Sequence, residues 1–323
     1  MTEIFHQQVA IPESLAGMRL DQALTQLLPE FSRTQIQEWI KQNEVLLNEK
    51  AVRAKTIVAS GDVITIHAKL KQHAKFEAQQ IDLNIIFEDD ALMIINKPAG
   101  MVVHPGAGNP NNTLLNALLH HAPSLEKLPR AGILHRLDKD TTGLLVIAKT
   151  AQALKHLSSQ LKTKTLIRIY QTIVYHTMTA GGTVDAPLGR HSLQRKRMAV
   201  MDTGKPAVTH YRVLERYRAH TRLRVQLETG RTHQIRVHMA YIKHPVFGDP
   251  TYGGRLQLPK GASEELITTL RGFKRQALHA IELAFEHPVS GKMLHFDAAL
   301  PEDMRNLIEH LRKDTHEHAL HKT

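Results

Sequence analysis

Two short stretches of this chain carry most of the side chains able to do acid–base or covalent chemistry. The first is His135-Arg136-Leu137-Asp138-Lys139-Asp140-Thr141-Thr142-Gly143, which runs into the apolar Leu144-Leu145-Val146-Ile147-Ala148. A carboxylate beside a guanidinium, in an irregular segment just ahead of a buried strand, stands where folds often place reactive groups, because the strand makes the loop rigid. Asp138 could act there as a nucleophile, as a base or only as an ion-pair partner. The second stretch is Glu228-Thr229-Gly230-Arg231-Thr232-His233-Gln234-Ile235-Arg236-Val237-His238. Gly230 reads as a turn, Thr229 or Thr232 as a helix cap, and Arg231 and Arg236 as planar forks for phosphate or carboxylate. His233 and His238 are five apart, not the four of a helical zinc pair, and HExxH is absent, so no metal site is expected. A third stretch, Arg190-His191-Ser192-Leu193-Gln194-Arg195-Lys196-Arg197, reads as a basic loop.

The elements that must position these residues are legible from periodicity. Leu20, Ala23, Leu24, Leu27 and Leu28 recur at helical spacing until Pro29. Ser32 and Gln35 form a capping-box pattern before Ile36, Trp39 and Ile40. Asn43 stands where a left-handed residue ends a helix. A hairpin turns at Asn48-Glu49-Lys50, and Val63–Ile66 forms another short strand. Residues 69–80 are polar and read as a linker. From residue 81 short strands dominate. Gly143–Ala148 is a buried strand, Ala151, Leu154, Leu157 and Leu161 mark a helix, and residues 167–174 and 223–227 alternate as strands. Further strands lie near residues 281–285 and 293–296. A last helix over residues 304–311 is expected to fray into a His-rich tail. The expected class is α+β: a small α/β module at residues 14–68, a linker at 69–80, a body on a mixed, mainly antiparallel sheet at 81–301, and a tail at 302–323.

Composition narrows the function. The 323 residues hold 42 Lys+Arg against 31 Asp+Glu, a formal charge of +11, which favours a polyanionic partner such as nucleic acid. At 42 % hydrophobic residues the chain is too apolar for disorder. The absence of Cys excludes disulfides, Fe–S clusters and Cys-based zinc sites and fits the cytoplasm. No apolar run is long enough to span a membrane, and the first residues do not form a secretory signal. There is no P-loop, no dinucleotide fingerprint and no repeat period.

Taken together the motifs resemble those of the RluA-type pseudouridine synthases. The first stretch resembles that family's H-R-L-D-x-x-T-[ST]-G-L-L signature and the second its G-R-[TS]-H-Q-[IL]-R-x-H segment, with Asn96-Lys97-Pro98-Ala99-Gly100, Tyr170 and residues 244–253 in matching order. The first 68 residues resemble an S4 RNA-binding domain through Arg19-Leu20-Asp21, Arg33-Thr34-Gln35-Ile36 and Gly61-Asp62. Asn43, and Asn48-Glu49 in place of Asn-Gly, depart from that pattern. Residues 104–109, 113–118 and 204–211 resemble the branches that act on large-subunit (23S) ribosomal RNA, two of which carry an S4 domain.

The resemblance implies an isomerase of rRNA processing and ribosome biogenesis, turning uridine into pseudouridine without cofactor or metal. It implies Asp138 as the catalytic carboxylate, Arg236 as its ion-pair partner and Tyr170 against the target ring. It also implies Arg136 holding the space left by a flipped base, and Arg19, Arg33, Lys41, Arg195, Lys196, Arg197 and Arg231 on the RNA. The implied partner is 23S rRNA or a pre-50S particle, met by a monomer with no membrane attachment. The rival readings are a sister branch with other target uridines, an inactive RNA-binding assembly factor, and a glycosylase that would release free uracil.

Overall fold

The computed structural model describes residues 4–29, 31, 33–69, 76–106, 108–194 and 197–320. Ser32, Arg195, Lys196, the centre of the expected linker and the last three tail residues lie outside the described residues. The chain divides into two compact units, Met1–Lys75 and Phe76–Thr323.

In the first unit, β1 (Ile4–Ala10) precedes α1 (Leu20–Leu27) and α2 (Arg33–Lys41), followed by β2 (Val45–Leu47), β3 (Lys50–Ala51) and β4 (Val63–Lys69). The strands form one antiparallel sheet in the order β1-β4-β2-β3. Both helices lay their apolar stripes on it, burying Leu20, Ala23, Leu24, Ile36, Trp39 and Ile40 with Val45, Ile64 and Ile66. The first unit therefore includes a strand, β1, ahead of residue 14, where the module was expected to start. β1 was not expected because Gln7 and Gln8 dilute its alternation. Its Phe5 nonetheless packs on Phe31 and Trp39, with ring centroids 4.8 and 5.9 Å away. Asn43 takes the left-handed conformation after α2 (φ 59°), as its position implied. Asn48 (φ 48°) and Glu49 (φ 65°) are both left-handed between paired Leu47 and Lys50, a tight two-residue turn of the primed type.

The second unit is built on β5 (Ile85–Glu88), β6 (Leu92–Lys97), β7 (Thr142–Ala148), β8 (Ile167–Tyr175), β9 (Gly182–Asp185), β10 (Leu188–Arg190), β11 (Met198–Val200), β12 (Val208–Arg216), β13 (His220–Leu227), β14 (Leu278–Glu286) and β15 (Met293–Asp297). Nine of these form one sheet in the order β5-β6-β7-β14-β8-β13-β12-β9, with β15 on β14. Only the β7–β14 pair is parallel, so the sheet is mixed and mainly antiparallel, as expected. β10 and β11 form a separate hairpin. The helices are α3 (Leu114–His121), α4 (Ala151–Thr163), α5 (Gln234–Tyr241), α6 (Glu264–Gly272) and α7 (Glu302–Leu320). One core gathers α3 and α5 against one side of the sheet. A second seats α4 on β6, β7 and β14 through Ala153 and Leu157. The third holds α6 and α7 through Leu266, Leu270, Met304, Leu307, Ile308 and Leu311.

The last helix is thus part of the body, and it continues to Leu320 where fraying was expected from residue 312. Its second half lacks an apolar stripe. It is held instead by Asp314, which accepts from Arg218 Nε and Nη2 at 2.7 and 2.9 Å.

Candidate active site

The two motifs meet in a cleft of about 610 Å³ lined by, among others, Asp138, Tyr170, His233 and Arg236. The segment carrying Asp138 is anchored from below. β7 starts at Thr142, whose hydroxyl is 2.7 Å from His279 Nδ1, and Gln276 donates to Thr141 Oγ1 at 3.0 Å. Gly143 lies at φ 112°, and a Cβ there would fall 2.2 Å from Ala280 O, so only glycine permits this close parallel approach. The carbonyl of Lys139 accepts from Lys97 Nζ at 2.9 Å, and that of Asp140 accepts from Arg275 Nη1 at 3.2 Å.

Lys97 was quoted in the sequence only as part of a motif, yet it holds this loop. Its side chain is fully buried, and its three donors meet three carbonyls, those of Pro98, Met101 and Lys139. Burial depresses its pKa to about 7, a shift that the charges of Asp140 and Asp138 oppose. Nothing local in the sequence marked this lysine as buried; only its place at the end of an apolar strand hinted at it.

Arg236 enters from α5. The helix begins after His233, which is left-handed at φ 57° and supplies no side-chain cap. Thr229 and Thr232 do not cap it either. Thr229 Oγ1 donates to Gln234 Oε1 at 2.8 Å and accepts from Val208 N at 3.1 Å, tying the turn to β12. His238 is 2.8 Å from Thr209 Oγ1 and 2.9 Å from Ala186 O, and so is engaged as a structural pin.

The Arg236 guanidinium spans two carboxylates. Nε and Nη2 donate to Asp249 at 2.7 and 2.8 Å, and Nη1 donates to Asp138 Oδ2 at 2.9 Å. Asp249 is in turn fixed by the backbone N–H groups of Thr251 and Tyr252. The result is a buried chain, Asp249–Arg236–Asp138, whose last two members line the cleft while Asp249 lies behind them. Side-chain exposure is 0 % for Asp249, 6 % for Arg236 and 14 % for Asp138. Asp249 was not singled out from the sequence, because an ion pair to Arg236 leaves no local trace.

His233 completes the carboxylate's surroundings. Its Nε2 stands 3.9 Å from Asp138 Oδ1, and its Nδ1 is 2.9 Å from the Tyr252 hydroxyl. Burial holds its pKa below the usual histidine range against the pull of Asp138, so it is neutral near pH 7. Tyr170 projects from β8 and is 5 % exposed; burial pushes its phenol up, so it stays protonated. The cleft therefore offers an ionisable carboxylate held by a cation, a buried phenol and a neutral imidazole. That set suits nucleophilic or base chemistry on a planar polar substrate.

The remaining expected residues fall in three places. Arg136 and Arg231 are exposed on the cleft lining, Arg231 donating to Pro206 O at 3.1 Å. Arg197 lies over the Tyr252 ring at 5.1 Å, the ring that Arg236 also faces. Arg19 and Arg33, in the first unit, are not free cations. Both bond Asp21, which is fully buried and also accepts from Gln37 Nε2 at 2.6 Å. Burial would raise the Asp21 pKa, but the bonds from Arg33, Gln37 and Arg19 overcome it and hold it at about 2. The two guanidiniums keep side-chain exposures of 35 and 44 %, so Asp21 fixes them as a rigid basic platform. Lys41 is exposed in the last turn of α2.

Among the described residues one group could approach a metal, Glu282, His295 and Asp297, but it lies outside the cleft and Glu282 already pairs with Arg224. Among the described residues no helix is long and apolar enough to cross a membrane.

Comparison with known proteins agrees with this geometry. Residues 91–241 match the RNA pseudouridylate synthase family model and residues 18–64 the S4 domain model. The chain is 54 % identical to ribosomal large subunit pseudouridine synthase D of Vibrio parahaemolyticus, over 96 % of each chain. It is likewise 54 % identical to the protein of that name from Escherichia coli, over 95 % of each. Among solved structures it resembles human RNA pseudouridylate synthase domain containing 4, with TM-score 0.56 and 26 % identity, covering 71 % of this chain and 93 % of that one. A cleft that joins the two motifs around one carboxylate, and relatives matched along nearly the whole length, lead to one assignment: the chain belongs to the RNA pseudouridylate synthase family, RNA-modifying isomerases, and carries an N-terminal S4 domain.

Proposed function

We propose that this chain isomerises selected uridines of large-subunit (23S) ribosomal RNA to pseudouridine, in free rRNA or a pre-50S particle, acting in the cytoplasm as a cofactor-free monomer. The observation that carries the reading is the Asp249–Arg236–Asp138 chain, which delivers one paired carboxylate to a cleft beside a buried phenol. The near full-length relatives with ribosomal large subunit names support the substrate class.

The target base must leave its stack to reach Asp138, which costs a few kcal/mol and least in a loop. Arg136, exposed at the cleft, takes the vacated space, since a planar guanidinium can stack and hold phosphate at once. Asp138 then attacks C1′ or removes a sugar proton; either route breaks the N1–C1′ bond. The uracil turns, C5 bonds to C1′, the C5 proton leaves and N1 takes up a proton, and any proton taken from the sugar is returned to it, so atoms balance with no co-reactant. Arg236 holds the Asp138 carboxylate in place and aims it. Tyr170, which lines the same cleft, packs against the ring. Arg19, Arg33 and Lys41 of the S4 unit and the Arg195-Lys196-Arg197 loop with Arg231 hold the surrounding RNA by phosphate contacts.

The test is incubation of the purified protein with 23S rRNA, followed by pseudouridine-specific derivatisation and mass spectrometry of the fragments. New derivatised uridines at discrete positions are expected. Free uracil without pseudouridine would favour the glycosylase reading, and binding without either product would favour an assembly factor.

A further inference from the structure

The inner wall of the cleft holds a cation that the steps above do not use. Arg168 and Tyr170 are two apart on β8 and so point to the same face of the sheet. Both line the cleft, and Arg168 is only 5 % exposed. Its guanidinium has no side-chain hydrogen bond or ion pair, and its buried Nε is without a partner among the described residues. Other arginines of this unit are engaged: Arg218 by Asp314, Arg224 by Glu282, Arg236 by Asp249 and Asp138, Arg275 by Asp303. The carboxylate on the same stretch of cleft, Glu228, is already occupied by Lys164 and His210.

The chain makes room for this guanidinium. Gly230 is not in the left-handed region, so its backbone does not require glycine. A Cβ at Gly230 would instead sit 2.6 Å from Arg168 Nη1. The glycine that reads as a turn former in the sequence is here a space for Arg168. Around it the lining is cationic, with Lys162, Lys164 and Arg231 exposed on the same part of the cleft.

A nearly buried guanidinium without a protein counter-charge is unfavourable, and an incoming anion relieves it. Arginine also presents its donors in a plane that matches a phosphate. We propose that Arg168 binds a backbone phosphate flanking the target uridine, seating the flipped nucleotide so that its ring lies on Tyr170 and its sugar faces Asp138. The proposal rests on the functional reading above and adds a phosphate site at the inner wall of the cleft, distinct from the exposed basic residues.

The experiment uses the full chain and a 23S fragment that the wild-type protein converts. Single uncharged methylphosphonates are placed at the phosphates on either side of the target uridine, and affinity is measured for wild type, Arg168→Gln and Gly230→Ala. At one of the two positions the wild type is expected to lose about 10-fold or more in affinity. Arg168→Gln is expected to lose the same on unmodified RNA, to lose nothing further on the methylphosphonate, and to show a salt slope shallower by about one phosphate contact. Gly230→Ala, whose backbone accepts alanine, displaces the guanidinium and is expected to follow Arg168→Gln, so the test stands if the buried substitution fails to fold. Unchanged affinity in Gly230→Ala and in a folded Arg168→Gln would overturn the proposal. So would losses from substitution and methylphosphonate that add, or a slowed single-turnover rate at saturating RNA with unchanged affinity. Absence of pseudouridine with wild-type protein would instead reject the functional reading, leaving the phosphate arms to be read from binding alone.

Discussion

Replacing Arg236 with Leu separates the two things its guanidinium does. It donates two bonds to Asp249, whose side chain is fully buried, and one to Asp138. Removing one partner of a buried pair destabilises by about 3–5 kcal/mol, because the other charge stays behind unpaired. For a unit of this size each kcal/mol shifts the melting temperature by about 2–4 °C, so Arg236→Leu should melt roughly 6–20 °C lower. The double variant Arg236→Leu, Asp249→Asn removes the orphaned charge. The Asn oxygen still accepts from Thr251 and Tyr252 N–H, which bond Asp249 Oδ1 in the native protein. Much of the lost stability should therefore return. Activity should not return, because Asp138 still lacks its cation and its aim. Calorimetry reads the first effect. Single-turnover pseudouridine formation at saturating RNA reads the second, with a loss of orders of magnitude in both variants. A double variant no more stable than the single one would refute the orphan-charge argument, and a normal single-turnover rate in Arg236→Leu would refute its role beside Asp138.

Other perturbations follow from the same contacts. Lys97→Met leaves the carbonyls of Pro98, Met101 and Lys139 without their donor and loosens the Asp138 loop. It should lower the single-turnover rate by about 10- to 100-fold while RNA affinity changes little. Because Lys97 releases its proton near pH 7 when folded but near 10.5 when unfolded, the unfolded chain binds more protons between these values. Stability should therefore rise with pH across that window, and Lys97→Met should flatten the rise in urea melts. Asp21 acts in the same sense at lower pH. Its carboxyl is held at about 2, so the stability it confers on the first unit is present above about pH 4 and lost as the pH falls towards 2; Asp21→Asn should remove that dependence. Glu49→Gly relieves a left-handed residue in the Asn48-Glu49 turn and should stabilise the first unit by about 0.5–1 kcal/mol, seen as a higher urea midpoint.

What was legible in the sequence follows the range of the interactions. The helix pair of the first unit, the buried strand after Asp138 and the left-handed Asn43 are set by local periodicity and turn chemistry, and the structure has them in place. β1 escaped because only Phe5 and Val9 mark its inner face, and its evidence of fit lies in an aromatic cluster with residues 26 and 34 positions away. The second half of α7 escaped because long-range ion pairs, Arg218–Asp314, Arg312–Glu215 and Lys313–Glu265, hold it rather than an apolar stripe. At the cleft, residue types and spacing left Asp138 open between nucleophile, base and ion-pair partner; the family resemblance narrowed that choice and suggested Arg236 as its neighbour. The structure brings the two to 2.9 Å across 98 residues of chain. Asp249, Lys97 and the space at Gly230 were not legible, because each has meaning only through a partner brought close by the sheet.

The most direct test of the account is Asp138→Asn. The amide keeps the shape of the side chain and can still accept from Arg236, but it cannot serve as a nucleophile or base. With a 23S fragment carrying tritium at C5 of uridine, release of tritium reports the final bond exchange, and filter binding on the same samples reports affinity. The account predicts affinity close to wild type with no tritium release and no pseudouridine by mass spectrometry. Substantial release by a pure Asp138→Asn preparation would contradict it.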